Sequence, residues 1–328
     1  MIHPRNLDTV QQIGLLFIIL FGVLLVASAA AFFVSLSDQT EQQEGRHRRF
    51  KRDLRAVWVS ASLFWLAWIS GPLGATLLFG GFSFLALREY ITLMHTKRSD
   101  HRTLILAFFI ILPIQYALVG LRHFNLFSVF IPVYMFLLVP VVSALSGDPE
   151  RFLERNAKIQ WGIMVCIFGL SHTPALLLLD FPRIQGRGAF LVFFMVFTVA
   201  TAQIVQEAAS RRLRRRPVAR QISRSFSYRA WMIGAFSAAF VGGLLYWITP
   251  FRPAQAMVMA LIASASGTMG EFVMKALKRD AGVRYWGNRS SVTGAVGLLD
   301  RIAPLCFAAP VFFHSVRWYF GLSTPGTL

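Results

Sequence analysis

The chain has 328 residues, 55% of them hydrophobic, with a mean hydropathy of +0.56 and 33 basic against 15 acidic side chains, a net charge of +18. A soluble core of this size does not repeat apolar runs long enough to cross a bilayer, so a water-soluble globular enzyme is excluded. A nucleic-acid partner is disfavoured too, because the bases gather in alternate loops between apolar runs.

Read in order, the apolar runs predict an all-α fold: a polytopic membrane protein of about ten transmembrane helices in one domain, 1–328. The first run is Ile13–Leu36. Its Ala27-Ser28-Ala29 faintly matches a signal-peptidase site, but the run continues well past it and a retained helix is expected. Residues 37–55 are polar, shift from acidic to basic, and read as a cytosolic loop whose basic end meets anionic headgroups. Leu54–Ile69 and Pro72–Met94 follow, separated by Gly71-Pro72, which predicts a tight helical hairpin or one long broken helix. Near the end of the latter, Arg88 and Glu89 are adjacent and share no helix face, so they read as two interfacial contacts.

Thr103–Gly120 and Phe124–Leu145 come next, then Lys158–Leu179, which Ser171-His172-Thr173-Pro174 interrupts. His172 is expected to be a hydrogen-bonded structural histidine at a proline kink, with no carboxylate near it in sequence. Gly188–Ser210, Tyr228–Ile248, Pro253–Leu277 and Ile302–Phe320 complete the set. Cys166 and Cys306 fall inside spans, so neither a disulfide framework nor a thiolate metal site is implied. Bases collect after the first, third, fifth, seventh and ninth runs, with eight arginines between Arg211 and Arg229. By the positive-inside pattern, the basic loops 37–55 and 211–229 are cytosolic and both termini lie outside.

The stretch 270–301 is the richest in chemistry. Glu271, Lys275, Lys278 and Arg279 fall at i, i+4, i+7 and i+8, so one helical face carries an acid and three bases. At a membrane surface such a face suits a phosphate-bearing or anionic-lipid partner. From spacing alone, a solvated helix end with snorkelling lysines is the plainer reading. Small residues just before it (Ser264, Ser266, Gly267, Gly270) are expected to serve close helix packing. No Walker loop, His-Glu-x-x-His, Gly-x-Ser-x-Gly or dinucleotide fingerprint competes.

The run KALKRDAGV, a Gly-rich stretch, then LLDRI resembles the C-terminal signature of the phosphatidate cytidylyltransferases (CDP-diacylglycerol synthases). That pattern reads S-x-hydrophobic-K-R, four residues, K-D, then P-G-H-G-G and D-R-hydrophobic-D. Lys278 and Arg279 match the K-R pair, and Asp300 and Arg301 match the D-R pair. Leu305–Phe320 and the LALREY text at 85–90 also resemble a bacterial branch. The resemblance implies transfer of a cytidylyl group from CTP to phosphatidate, giving CDP-diacylglycerol and pyrophosphate. It further implies Mg²⁺, the cytosolic face of a bacterial plasma membrane, membrane-lipid contacts and a homodimer. Carried over by position, Lys278, Arg279, Asp300 and Arg301 are catalytic and Glu271 is a metal ligand. Ser223, Arg224, Ser227, Arg229, Lys275 and Asp280 are substrate-binding.

The sequence also departs from the pattern. Val199 and Ala200 stand where an Asn-Asp pair supplies a metal carboxylate, and Glu207 replaces it only if the site shifts two turns, about 10 Å. In S-P-x-K-T-x-E-G, Phe226 takes the place of Lys and Arg229 that of Glu, leaving Arg224 or Arg229 to supply the lost cation. Arg284-Tyr285 replaces K-D, Ser291–Ala295 replaces P-G-H-G-G, and Ala303 replaces the closing Asp. Two readings follow: an active lipid nucleotidyltransferase with a remodelled site, or a degenerate paralogue that binds lipid or nucleotide or assists another lipid enzyme. A transporter would show repeated halves with broken midplane helices, and no such repeat is visible.

Overall fold

The computed structural model describes residues 9–35, scattered positions between 54 and 70, and residues 71–94, 96–179, 181, 188–213, 218–223, 226–282 and 297–322. Among them the chain is helical throughout, with no strand. It divides into two compact units, Met1–Ala75 and Thr76–Leu328.

In the first unit, α1 (Thr9–Ser35) lies against the 54–70 segment. Ser28 Oγ donates to Leu24 O at 2.7 Å and accepts from Trp58 Nε1 at 3.0 Å. Phe17 meets the edge of Trp65, with ring centroids 4.9 Å apart. The pairs 28–58 and 17–65 run in opposite directions along the chain, so the two segments are antiparallel. The break expected at Gly71-Pro72 is present: Gly71 has φ +69° with open space where a Cβ would sit, so only its backbone conformation requires glycine.

The remaining helices are α2 (Gly71–Leu93), α3 (Arg98–Gly120), α4 (Phe124–Ala144), α5 (Phe152–Leu177), α6 (Gly188–Leu213), α7 (Tyr228–Leu244), α8 (Pro253–Asp280) and α9 (Leu298–Tyr319). Seven of the described helices, α2 to α6 with α8 and α9, are long and apolar enough to cross a membrane. The chain is a polytopic helical integral membrane protein. Of the other helices, α1 has 27 residues and α7 has 17. Two helices reach further than the hydropathy suggests. α5 begins at Phe152, which brings Arg155 into the helix, and α8 continues through Lys278, Arg279 and Asp280.

Helices α6 to α9 pack against one another, and α5 packs on α9. Small residues make the approach possible, as the sequence suggests. A Cβ on Gly267 would lie 2.9 Å from Val199 Cγ1 and 3.1 Å from Pro304 O, and one on Gly270 would enter the Phe307 ring. Without a hydrophobic drive between helices in lipid, this van der Waals fit holds them together.

Three neighbouring helices each contain a π-helical stretch: Ala107–Ile111 in α3, Phe130–Met135 in α4 and Ile163–Gly169 in α5. The wider turn leaves carbonyls free to accept from side chains. Ser83 Oγ donates to Cys166 O at 2.6 Å, and Phe168 O accepts from Ser171 Oγ at 2.9 Å and from His172 Nδ1 at 2.6 Å. His172 is thus hydrogen-bonded within its own helix as expected. Its Nε2 also lies 3.3 Å from Nε2 of His314 on α9, a partner that sequence spacing does not reveal.

At the ends of α3 and α5, Arg155 forms a buried clasp. Its Nε lies 3.0 Å from Asp100 Oδ1, with the two side chains 5% and 1% exposed, and its Nη1 lies 2.7 Å from Asp148 Oδ2. The same guanidinium donates to Glu150 O and Asp148 O, while Ser99 Oγ donates to Asp148 Oδ2 at 2.9 Å. One of the bases that mark this loop by charge is therefore neutralised inside the protein.

Candidate functional site

The site is built where the last turns of α2 and α8 meet the first turn of α9. Glu271, Lys275 and Lys278 share a face of α8, as their spacing requires. Glu271 Oε1 pairs with Lys275 Nζ at 2.6 Å, and its other oxygen accepts from Gln203 Nε2 of α6 at 2.7 Å. Lys278 reaches across to α9 and forms an ion pair with Asp300. That contact brings the K-R and D-R pairs together, although 22 residues separate them in sequence. Arg279, Asp280 and Arg301 are exposed around it.

Glu89 belongs to the same junction, which corrects its reading as an interfacial contact. Its side chain is 2% exposed. Its carboxylate accepts from the backbone N–H groups of Leu298 at 3.0 Å and Leu299 at 3.3 Å. Gly297, at φ +76°, precedes α9 and has no side chain to cap it, so a carboxylate from α2 satisfies two of the orphan amides instead. Arg88 beside it is exposed, in keeping with adjacent residues pointing apart on a helix.

The substrate loop resemblance fares differently. Ser227 caps α7, its Oγ accepting from Ala230 N at 3.3 Å. Ser223 is buried, and its N–H donates to Ala219 O at 2.8 Å. Phe226, in the lysine position, is 5% exposed and packs on Phe272, with ring centroids 4.4 Å apart. An aromatic contact therefore occupies the position where the pattern has an ammonium. Arg229 is exposed on the first turn of α7. Val199 is buried against Gly267, and Ala200 beside it offers no carboxylate. Glu207 is exposed and pairs with Arg211 on its own helix. Ala303 is buried. Arg224, Arg284, Tyr285 and Ser291–Ala295 lie outside the described residues.

Among the described residues, no three His, Cys, Asp or Glu side chains gather to hold a metal ion. Glu271 and Asp300 are each held by a different lysine of α8, Lys275 and Lys278, nearly one turn apart. Among the described residues, both carboxylates are thus engaged by ammonium groups. What the junction does offer is a cluster of cations beside a fixed helix start, suited to anionic ligands at a membrane surface.

Helical spans of this kind, with a charged junction among three of them, define a polytopic membrane protein. The chain matches the cytidylyltransferase family over residues 50–319, most of its length, and belongs to that family, the phosphatidate cytidylyltransferases. It is also 39% identical over 255 residues to "Uncharacterized protein YnbB" of Escherichia coli (strain K12), covering 76% of this chain and 82% of that protein. Sequence reasoning reached the family through Lys278, Arg279, Asp300 and Arg301. It missed the burial of Glu89, the His314 partner and the Arg155 clasp. For Glu89 the available signal was an acid near the end of an apolar run, where a bare carboxylate is costly.

Proposed function

We propose that the chain is a phosphatidate cytidylyltransferase-like protein of phospholipid synthesis whose site binds the family's anionic substrates, CTP or phosphatidate, with little or no turnover. The observation that supports this reading is the Lys278–Asp300 ion pair, which joins the two halves of the signature at one point. Arg279 and Arg301, exposed beside it, are the cations for phosphate oxygens, and Arg suits that geometry through its planar fork. Turnover needs more than binding: charge on a transferring phosphoryl group must be neutralised by preorganised groups. Phe226 in the lysine position and Ala200 in the carboxylate position remove two such groups. The basic loops 37–55 and 211–229 are cytosolic in this reading and hold anionic headgroups, about ten helices span the bilayer, and a second copy of the chain is the expected partner.

The test uses full-length protein in lipid nanodiscs, with equilibrium binding of CTP and phosphatidate measured beside CTP-dependent formation of CDP-diacylglycerol. Binding with negligible product is expected. Robust product formation, abolished by Glu271→Ala or Lys278→Ala, would overturn the degenerate reading in favour of a remodelled active site. Absence of binding to either ligand would overturn both.

A further inference from the structure

We propose that Glu89 is the positioning residue of this site: a carboxylate on α2 that sets the start of α9 and thereby the placement of Asp300 and Arg301. The inference rests on the reading of the junction as a ligand site. A helix begins with four N–H groups that lack partners, and an Asp, Asn, Ser or Thr at the N-cap normally accepts from one of them. The residue at that place here is Gly297, which has no side chain. Glu89 performs the task from 209 residues away, giving one oxygen to Leu298 N and the other to Leu299 N. Two amides held by two oxygens of one rigid group fix both the height and the rotation of the first turn. The next residue is Asp300, which meets Lys278 of α8. α2, α8 and α9 are thus tied at a single point, and Arg301 projects from it.

This arrangement also says which groups read a phosphate. A free helix N-terminus binds phosphate through its amides and dipole. Here Glu89 already occupies the first two of those amides and places a carboxylate at the helix start, so an incoming phosphate is read by side-chain cations, of which Arg279 and Arg301 are exposed. The carboxylate itself is 2% exposed and acts through the backbone of its neighbour rather than on the ligand.

The experiment compares full-length wild type, Glu89→Ala, Glu89→Gln, Arg301→Ala and the Glu89→Ala/Arg301→Ala double variant in nanodiscs, with two readouts. Hydrogen exchange reports on the Leu298 and Leu299 amides, and equilibrium binding reports on CTP and phosphatidate. Glu89→Ala is expected to speed exchange at those amides and to weaken binding by about tenfold, the scale of losing a hydrogen bond to a charged group. Glu89→Gln keeps a single acceptor and is expected to restore part of both. Because Glu89 acts through the D-R pair, the double variant is expected to bind no more weakly than Arg301→Ala alone. Unchanged exchange, unchanged binding in Glu89→Ala, or losses that multiply in the double variant would each overturn the proposal. Should Glu89→Ala fail to fold, Glu89→Gln is judged on the same two readouts. If the wild type binds neither ligand, the functional reading fails, and amide exchange alone decides whether Glu89 positions α9.

Discussion

At the scale of single residues, the junction sorts the motif side chains by what they touch. Lys275 and Lys278 are paired with carboxylates, whereas Arg279 and Arg301 are exposed. Arg279→Gln and Arg301→Gln are therefore expected to weaken phosphatidate or CTP binding several-fold without lowering thermal stability, each having lost an exposed cation. Phe226 carries the opposite expectation. Placing a lysine at this buried position strips an ammonium of water beside Phe272, so Phe226→Lys is expected to destabilise by a few kcal/mol, of order 2–4, read as a lower unfolding temperature in detergent. Ala200→Asp combined with Phe226→Lys is expected not to restore CDP-diacylglycerol formation, because the P-G-H-G-G segment is still replaced. Substantial product from that pair, with little from wild type, would show that these two losses suffice to explain low turnover. The sequence made Lys278 with Asp300 legible because a motif names both. It could not show that Glu271 answers to Gln203 or that Glu89 caps α9, since partners 68 and 209 residues apart follow only from packing.

Whole helices follow hydropathy closely, and their departures have physical causes. α8 runs on through Lys278–Asp280 because cations at a helix C-terminus are favoured by the dipole, so the signature begins on a helix. The π stretches were not legible, since no residue pattern in Ala107–Ile111, Phe130–Met135 or Ile163–Gly169 marks them. Helix contact gives a sharp test. A Cβ on Gly169 would lie 2.3 Å from the carbonyl oxygen of Cys306, a backbone atom that cannot turn aside. Gly169→Ala is expected to push α5 from α9 and to cost about 1–3 kcal/mol, whereas Gly14→Ala, with nothing within 4 Å, is expected to be neutral or slightly stabilising. Equal behaviour of the two in thermal unfolding would contradict the packing described. The Arg155 clasp has a pH signature. The Glu150 backbone N–H, then the Ser99 hydroxyl, and then Arg155 and Lys97 hold the Asp148 carboxyl below its ordinary 3.8. A depressed carboxyl stabilises the fold above its unfolded pKa, and that contribution is lost as pH falls through the folded value. Asp148→Asn is expected to flatten the acid limb of the stability curve and to leave neutral pH less stable than wild type.

For the whole molecule, the charge pattern makes one further prediction. With ten spans and basic loops inside, a single cysteine replacing Ser323 is expected to react with an impermeant reagent outside intact cells, and one replacing Ser37 is not. Labelling of Ser37→Cys but not Ser323→Cys would reverse the orientation, and labelling of both or neither would overturn the count of ten. The bond between Glu89 and the start of α9 carries a consequence for how the protein is made. The acceptor is synthesised 209 residues before its donors. At roughly 5–20 residues per second, a ribosome takes on the order of 10–40 s to supply Leu298 after Glu89 has emerged. Through that interval the carboxylate has no α9 amides to meet, and a chain released early never supplies them. A fragment ending before residue 298 therefore lacks the two backbone donors that Glu89 meets at the start of α9, and the tie between α2 and α9 forms only once the last helix has been made.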